Sequence, residues 1–415
     1  MPVPPGPPPG RGPLSGEPFR PGVARTLMPK HALVLGGGFA GLEAAIQLRQ
    51  RGLDVTLVSN RPFLFVYPTS IWVVTGEKPF EEICLDLGDV ARRHGFRFVE
   101  GMVEAVSGAG RSATVNGEKL AADHLVVAFG GERMKPKGVE HTHTIGGDPQ
   151  AAVRARDALA ALLARGRGRV AMGFGGNPRD TSAVRGGPVF ELMFNVDTLL
   201  RRRGLREAFE LTFYAPMPSP GERMGKKAVG ALQGMLGKLG VGTRFGKKIT
   251  AFERDGVRFE DGSKLEADLT IFLPAGDGHP VVKGSDLPRN EAGFVTVDEG
   301  CAVPGLPGVW AIGDAAALQG PDWRAKQGHV AEVMARVTAA NVAAVEAGRP
   351  ERESYLPHLG ITCLLDMGNG AAYVHRDDVK EQMVPLPVVG HWMKQAWGAY
   401  YKASKRKQVP RLPGM

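Results

Sequence analysis

His31-Ala32-Leu33-Val34-Leu35-Gly36-Gly37-Gly38-Phe39-Ala40-Gly41-Leu42-Glu43-Ala44-Ala45 decides how the rest of the chain is read. His31-Leu35 has the apolar run of a buried strand and Leu42-Arg51 the spacing of an Ala-rich helix. Between them the glycines fall as G-x-G-x-x-G. Gly36 permits the tight turn, Gly38 lets the backbone approach a pyrophosphate, and Gly41 lets helix and strand pack closely. Phe39 and Ala40 complete the turn, and the helix N-terminus behind it attracts an anion. The motif alone is a weak signal. Its strand-turn-helix setting makes it specific.

Outward from the turn, Asp54-Val58 is the next strand, and it ends Ser59-Asn60-Arg61. An acidic residue for the ribose hydroxyls is expected about twenty positions after the glycines, and Ser59 stands there instead. Ser59, Asn60 and Arg61 are therefore candidate cofactor contacts, and a 2′-phosphate, hence NADP, is one alternative. A second signature favours FAD: Trp310-Ala311-Ile312-Gly313-Asp314-Ala315, a strand ending in Gly-Asp ahead of a long helix, Gly328-Glu346. There Gly313 keeps the backbone close and Asp314 accepts a ribityl hydroxyl. Ala128-Phe129-Gly130-Gly131, also after a strand (Leu125-Phe129), supplies a loop to close over the cofactor, with Gly130 in contact.

Further strands are expected at Val170-Met172, Leu211-Tyr214 and Val309-Ile312, and a helix at Gly187-Arg203. Val257-Phe259 and Ala267-Pro274 read as a hairpin turning at Asp261-Gly262. Alternating strands and helices imply an α/β fold of parallel sheets with helices on both faces. The expected architecture is two Rossmann-like dinucleotide-binding domains of the glutathione-reductase-like type. Residues 31–150 and 281–346 form an FAD domain split in sequence, and 151–280 form a second, degenerate one. Residues 347–415 form a membrane-associated C-terminal region. Residues 1–30 are Pro- and Gly-rich, too poor in apolar surface to offset chain entropy, and are expected to be disordered. Met28, directly before the first strand, is the expected natural start.

The chain has 415 residues, 43% of them hydrophobic and 23% charged, with a formal net charge of +9. No run is long and apolar enough for a membrane-spanning helix. Three cysteines, Cys84, Cys301 and Cys363, do not make a secreted disulfide scaffold. A cytoplasmic protein associated peripherally with the inner face of the cell membrane is expected, with no metal site. Gly390-Met415 contains no Asp or Glu but carries Lys394, Lys402, Lys405, Arg406, Lys407 and Arg411. On a helical wheel Trp392, Met393, Ala396, Trp397, Ala399 and Tyr400 share one face, with Lys394, Lys402 and Lys405 opposite. That pattern suits a helix lying among anionic phospholipid headgroups, each basic residue adding ~1 kcal/mol. Nucleic acid is not expected, since no binding motif accompanies the charge.

The segment Val55-Gly76 (VTLVSNRPFLFVYPTSIWVVTG) resembles the second-strand region of sulfide:quinone oxidoreductases. So do Gly187-Pro188-Val189-Phe190-Glu191, Gly293-Glu299, Lys326-Gln327-Gly328 and Cys363-Leu364-Leu365-Asp366-Met367-Gly368. The resemblance runs from about His31 to Arg406, is weakest between Gly131 and Gly186, and extends to related type II NADH dehydrogenases. It implies an FAD-dependent oxidoreductase that reduces a membrane quinone, in which Ser59 is ordinary. It also puts Lys326 and Gln327 near the isoalloxazine and makes Cys363 a candidate redox residue. Lys326 would stabilise negative charge on the reduced ring. The family's second cysteine, before Gly-Pro-x-x-Glu, is missing: Thr181-Ser182-Ala183-Val184-Arg185-Gly186 has none. A further family cysteine near Thr144 is absent too. Cys363 alone cannot form the usual disulfide, so the donor is open: sulfide-like or other. A second nucleotide turn is degraded, with Pro178 in place of the last glycine of Gly173-Phe174-Gly175-Gly176-Asn177-Pro178, which argues against NADH. An NAD(P)H-dependent flavin reductase and a non-catalytic flavin-binding protein are the alternatives. The oligomeric state is open, a homo-oligomer included.

Overall fold

The computed structural model describes residues 29–412. The Pro- and Gly-rich extension, apart from its last two residues, the Met28 start and the last three residues of the tail lie outside them. Four helices frame the site: α1 (Phe39–Gln50), α2 (Gly187–Arg202), α3 (Gly328–Glu346) and α4 (Val389–Lys405).

In the first half, strand His31–Leu35 pairs in parallel with Asp54–Ser59 on one side and His124–Val127 on the other. Arg97–Glu100 and Val309–Ala311 extend the sheet at its two edges. Ala32–Leu35 and the central residues of the neighbouring strands are buried, as near-continuous apolar runs in a sheet covered on both faces must be. The edge strand Val309–Ala311 returns from far along the chain, so this half is assembled from two separated segments. α1 and α3 pack together along one face through Ala, Val and Leu side chains.

The second half has its own parallel sheet, Gly242–Phe245, Phe209–Ala215, Gly168–Phe174 and Leu269–Leu273 in that order. Here the structure corrects one expectation. Leu269–Leu273 is the edge strand of this sheet, not the return of a hairpin. Gly256–Phe259 pairs with Lys264–Glu266 across the Asp261-Gly262 turn and with Ile249–Glu253 on its other side. Both short runs are apolar, and length alone does not separate a hairpin arm from a parallel edge strand.

A three-stranded antiparallel sheet, Ile361–Asp366, Gly370–Arg376 and Glu381–Pro387, leads into α4. The helix then runs back across the first half. Among the described residues no helix is long and apolar enough to cross a membrane.

Candidate functional site

At the glycine turn, Gly36 has φ +118°, and a Cβ on it would sit 2.5 Å from the Ala128 carbonyl oxygen. A Cβ on Gly41 would sit 1.8 Å from the Gly36 carbonyl oxygen. Gly38 differs: a Cβ there would meet nothing within 4 Å. It also caps α1 without a side-chain hydrogen bond, and no acidic residue occupies the first turn. The exposed N–H groups of that turn thus face open space, which is what a pyrophosphate requires. Ser59 is buried beside the turn and accepts a 3.3 Å hydrogen bond from the Arg61 N–H. Asn60 is exposed, and the buried Arg61 Nε has no partner among the described residues. Gly130 has φ +77° with open space around its Cα.

The Gly-Asp turn reaches the same place from the other segment. Gly313 has φ +62°, and a Cβ on it would lie 2.8 Å from the Ala40 Cβ, so the two motifs touch. Asp314 accepts a hydrogen bond from Arg185 Nη2, forming an ion pair. Burial alone would raise the Asp314 carboxyl, but Arg185, Lys326 and Arg133 hold it below the usual carboxylate range.

Beside these turns lies a cavity of about 1680 Å³. Phe39, Lys326, Gln327 and Cys363 line it; Gly36, Gly38, Gly313 and Asp314 do not, so the pyrophosphate turn lies outside its lining. Lys326 is buried, not an exposed helix lysine. Its Nζ donates to the carbonyls of Asp314 (3.3 Å) and Ala316 and sits 3.9 Å over the Phe294 ring. Burial lowers its pKa to about 8. Cys363 is half-buried, and burial reinforced by Glu191 pushes its thiol up to about 12. The thiolate that attacks sulfur is therefore scarce near neutral pH. Cys84 and Cys301 do not line the cavity.

Several residues at the site were not singled out by sequence. Tyr67 lines the cavity with its Oη buried and, among the described residues, unpartnered, and the Arg185 guanidinium lies 5.8 Å over its ring. Arg133 is held close to Arg185, Tyr67 and Asp314. Glu191, at the cavity wall, accepts from the Asp366 N–H (2.8 Å) and from Lys394 Nζ. Asp366 in turn accepts from Trp72 Nε1 at 3.0 Å and pairs with His391 Nδ1 at 2.9 Å. That hydrogen bond raises His391 above its ordinary value. Lone aromatic or basic residues carry no spacing signal, so only the fold brings these together.

The tail helix requires a correction. Lys394 and Lys405 do not point away from the protein: they are 4% and 2% exposed. Lys405 Nζ pairs with Glu43 of α1 at 2.6 Å and Glu332 of α3 at 2.5 Å. Arg411 also pairs with Glu43. Buried carboxylates claim these cations because an unpaired charge inside the protein costs several kcal/mol. Lys402 reaches the Glu82 carbonyl. On the outward side are Trp392 (65% exposed) and Met393 (44%), with Val388 and Val389 also exposed. Among the described residues no group of three or more His, Cys, Asp or Glu side chains is placed to hold a metal ion.

A bare helix N-terminus in one parallel sheet, met by a Gly-Asp turn from a distant segment and flanked by a second nucleotide-type sheet, is the arrangement of a two-dinucleotide-fold oxidoreductase. The chain belongs to the pyridine nucleotide-disulphide oxidoreductase family, which residues 30–344 match. It is similar to the sulfide-quinone reductase of Aquifex aeolicus, 26% identical over 402 residues and covering 90% of each chain. An NADH dehydrogenase-like protein of Mycobacterium tuberculosis is 27% identical over 312 residues, covering 70% of this chain and 74% of that one. The solved sulfide:quinone oxidoreductase from Aquifex aeolicus superposes with a TM-score of 0.82 at 23% identity, over 91% of this chain and 92% of that chain. That last likeness is one of fold.

The protein is an FAD-dependent oxidoreductase. Its residues fit the cofactor: the space at Gly38, the uncapped first turn of α1 and the orphaned Tyr67 Oη all await a polar ligand.

Proposed function

We propose that the protein passes electrons from a small donor, through FAD, to a membrane quinone. One observation carries this reading. The cavity that starts at Lys326 and Gln327 continues to Met393, Trp397 and Tyr400 of α4, and Met393 is also part of the exposed apolar face. A hydrophobic quinone leaving a bilayer there would meet apolar and aromatic wall at once. Bound FAD takes two electrons from a donor and gives them to an acceptor, chemistry the side chains cannot supply.

In this reading Gly36, Gly38, Phe39, Ala40, Gly41 and Gly130 cradle the dinucleotide, with Ser59, Asn60 and Arg61 beside it. Gly313 and Asp314 serve the ribityl chain, and Lys326 and Gln327 the ring edge. Lys326, near its own pKa at neutral to mildly alkaline pH, can hold a proton next to developing negative charge. The Glu191–Lys394 pair lines the quinone side of the cavity.

NADH does not fit as donor. Twelve residues, 175–186, with Pro178 among them, connect strand Gly168–Phe174 to α2, where three, Gly36–Gly38, connect the first strand to α1, so the short phosphate turn is not repeated. Asn177 Nδ2 binds the Gly276 carbonyl at 2.8 Å and Arg179 pairs with Asp277, which ties the loop down.

The reading is tested by reducing the flavin anaerobically with light and mixing with a short-chain quinone. Rapid return of the oxidised spectrum is expected; no return overturns it. Sulfide is expected to be a poor donor, turning over well below about 10 per second, with Cys363→Ser changing little. Fast sulfide turnover abolished by Cys363→Ser would show that one cysteine suffices.

Membrane attachment through the outward face of α4 is part of the same proposal. Because Lys394 and Lys405 are used internally, apolar insertion dominates over charge attraction. Replacing Trp392 and Met393 together by serine is expected to weaken binding to anionic vesicles roughly tenfold or more, at unchanged flavin content. Equal partitioning of variant and parent at low salt would rule the face out.

A further inference from the structure

The same cavity holds a cation that, among the described residues, no carboxylate contacts. Arg223, in the loop after strand Phe209–Ala215, lines it with Nη1 buried and without any partner. Among the described residues its side chain forms neither an ion pair nor a hydrogen bond, and burial lowers its pKa to about 10. Arg376 stands behind it, donating from Nη1 to the Glu222 and Arg223 carbonyls at 2.9 Å and lying 5.5 Å over the Trp323 ring. Lys326, on the same cavity, bonds only to backbone carbonyls. Lys326 has Asp314 as its main compensating charge and Asp180 as a weaker one, whereas Arg223 feels only Asp180, at longer range than an ion pair. The Asp180 oxygens are already occupied by Ser182 N–H (3.0 Å), Ser182 Oγ (2.5 Å) and Asn290 Nδ2 (3.0 Å). Arg185, where the family carries a cysteine, adds a further cation, matched only by Asp314.

A half-buried guanidinium whose buried nitrogen has no acceptor costs free energy unless a ligand accepts from it. The wall lacks the short turn of a dinucleotide seat, since twelve residues, 175–186, stand between strand Gly168–Phe174 and α2. What matches a planar guanidinium is a small anion with two or more equivalent oxygens, which it binds through parallel N–H donors.

We propose that Arg223, backed by Arg376, forms a binding site for a small oxyanion such as a carboxylate or a sulfur oxyanion. The site lies in the cavity used by the donor-to-quinone reading above and names the class of ligand bound at that wall.

Calorimetry on the FAD-loaded protein in a chloride-free, low-salt buffer tests it, with thiosulfate and malonate as probes and malonamide as the uncharged counterpart. At least one anion is expected to bind with a dissociation constant of about 1 mM or tighter, and malonamide not at all. Arg223→Gln should weaken the binding about tenfold or more, and Arg223→Lys should recover part of it. FAD absorbance and the melting temperature establish that each variant is folded. The proposal is overturned if neither anion gives heat at about a hundred times that concentration, or if Arg223→Gln binds as the parent does. The quinone half-reaction of the parent protein is measured separately. If that fails while anions still bind at Arg223, the electron-transfer reading falls and the oxyanion site stands. If it succeeds and no anion binds, the reverse holds.

Discussion

Gly38→Ala is expected to fold normally and purify nearly colourless, whereas Gly41→Ala is expected to lose both flavin and stability. The two positions lie in one motif, but the structure separates their roles. A methyl on Gly38 would enter empty space in front of α1, where nothing in the protein is displaced. Its cost falls on the ligand, because the methyl occupies the approach to the helix N–H groups. A methyl on Gly41 would lie 1.8 Å from the Gly36 carbonyl oxygen and 3.3 Å from the Ala128 Cβ. Backbone cannot yield as a side-chain tip can, so the turn must open or α1 must move away from the sheet. Several kcal/mol of destabilisation follow, beyond the usual 1–3 kcal/mol or so of overpacking. The measurements are the ratio of flavin to protein absorbance after reconstitution, and the melting temperature of the apoprotein. Gly38→Ala should reduce FAD affinity roughly a hundredfold with the apoprotein's melting temperature unchanged. If both variants keep full flavin content, the turn is not the cofactor seat.

Lys405→Ala is expected to cost about 3–5 kcal/mol, the penalty for stranding a buried charge. Glu43 is fully buried within α1 and Glu332 nearly so within α3, and Lys405 bridges the two. Arg411 remains on Glu43 in the variant but does not replace the bridge to Glu332. Since α4 is held to the first half partly by this bridge, its loss should also loosen the cavity wall at Trp397 and Tyr400. Removing charge from both sides, Glu43→Gln with Lys405→Met, should recover part of the loss, and the double-mutant cycle gives the coupling. A loss under about 1 kcal/mol would mean the bridge behaves as an exposed pair does.

The same cluster sets an acid limit. Burial pushes the Glu43 carboxyl up, but Lys405 and Arg411 outweigh it and hold it at about 2, below its ordinary 4.5. A carboxyl depressed in the folded state stabilises the fold at pH values above its unfolded pKa. That contribution is lost as pH falls from about 4.5 towards about 2. Denaturation midpoints followed through that window should drop steeply in the parent and less in the Glu43→Gln, Lys405→Met protein.

Much of the fold was legible in short spacings. The Gly36–Gly41 turn, the Gly313-Asp314 strand end and the long helix Gly328–Glu346 each depend on neighbours a few residues away, so local sequence determines them. The degraded turn at Pro178 and the isolation of Cys363 were equally readable, because absence of a residue type needs no coordinates. The hairpin at Asp261-Gly262 was right at its turn and wrong in its second arm, since pairing of Leu269–Leu273 is decided by strand Gly168–Phe174 a hundred residues earlier. The tail shows the limit most clearly. Sequence established a helix with apolar residues on one side and lysines on the other, and a helical wheel does not say which side faces inward. Glu43, 362 residues before Lys405, decided that. Burying a lone carboxylate is far costlier than exposing a tryptophan, so the lysine goes in and Trp392 stays out. The cations at Arg133 and Arg185 are likewise brought together around Asp314 only in three dimensions, because charge complementarity acts through space and leaves no period in the chain.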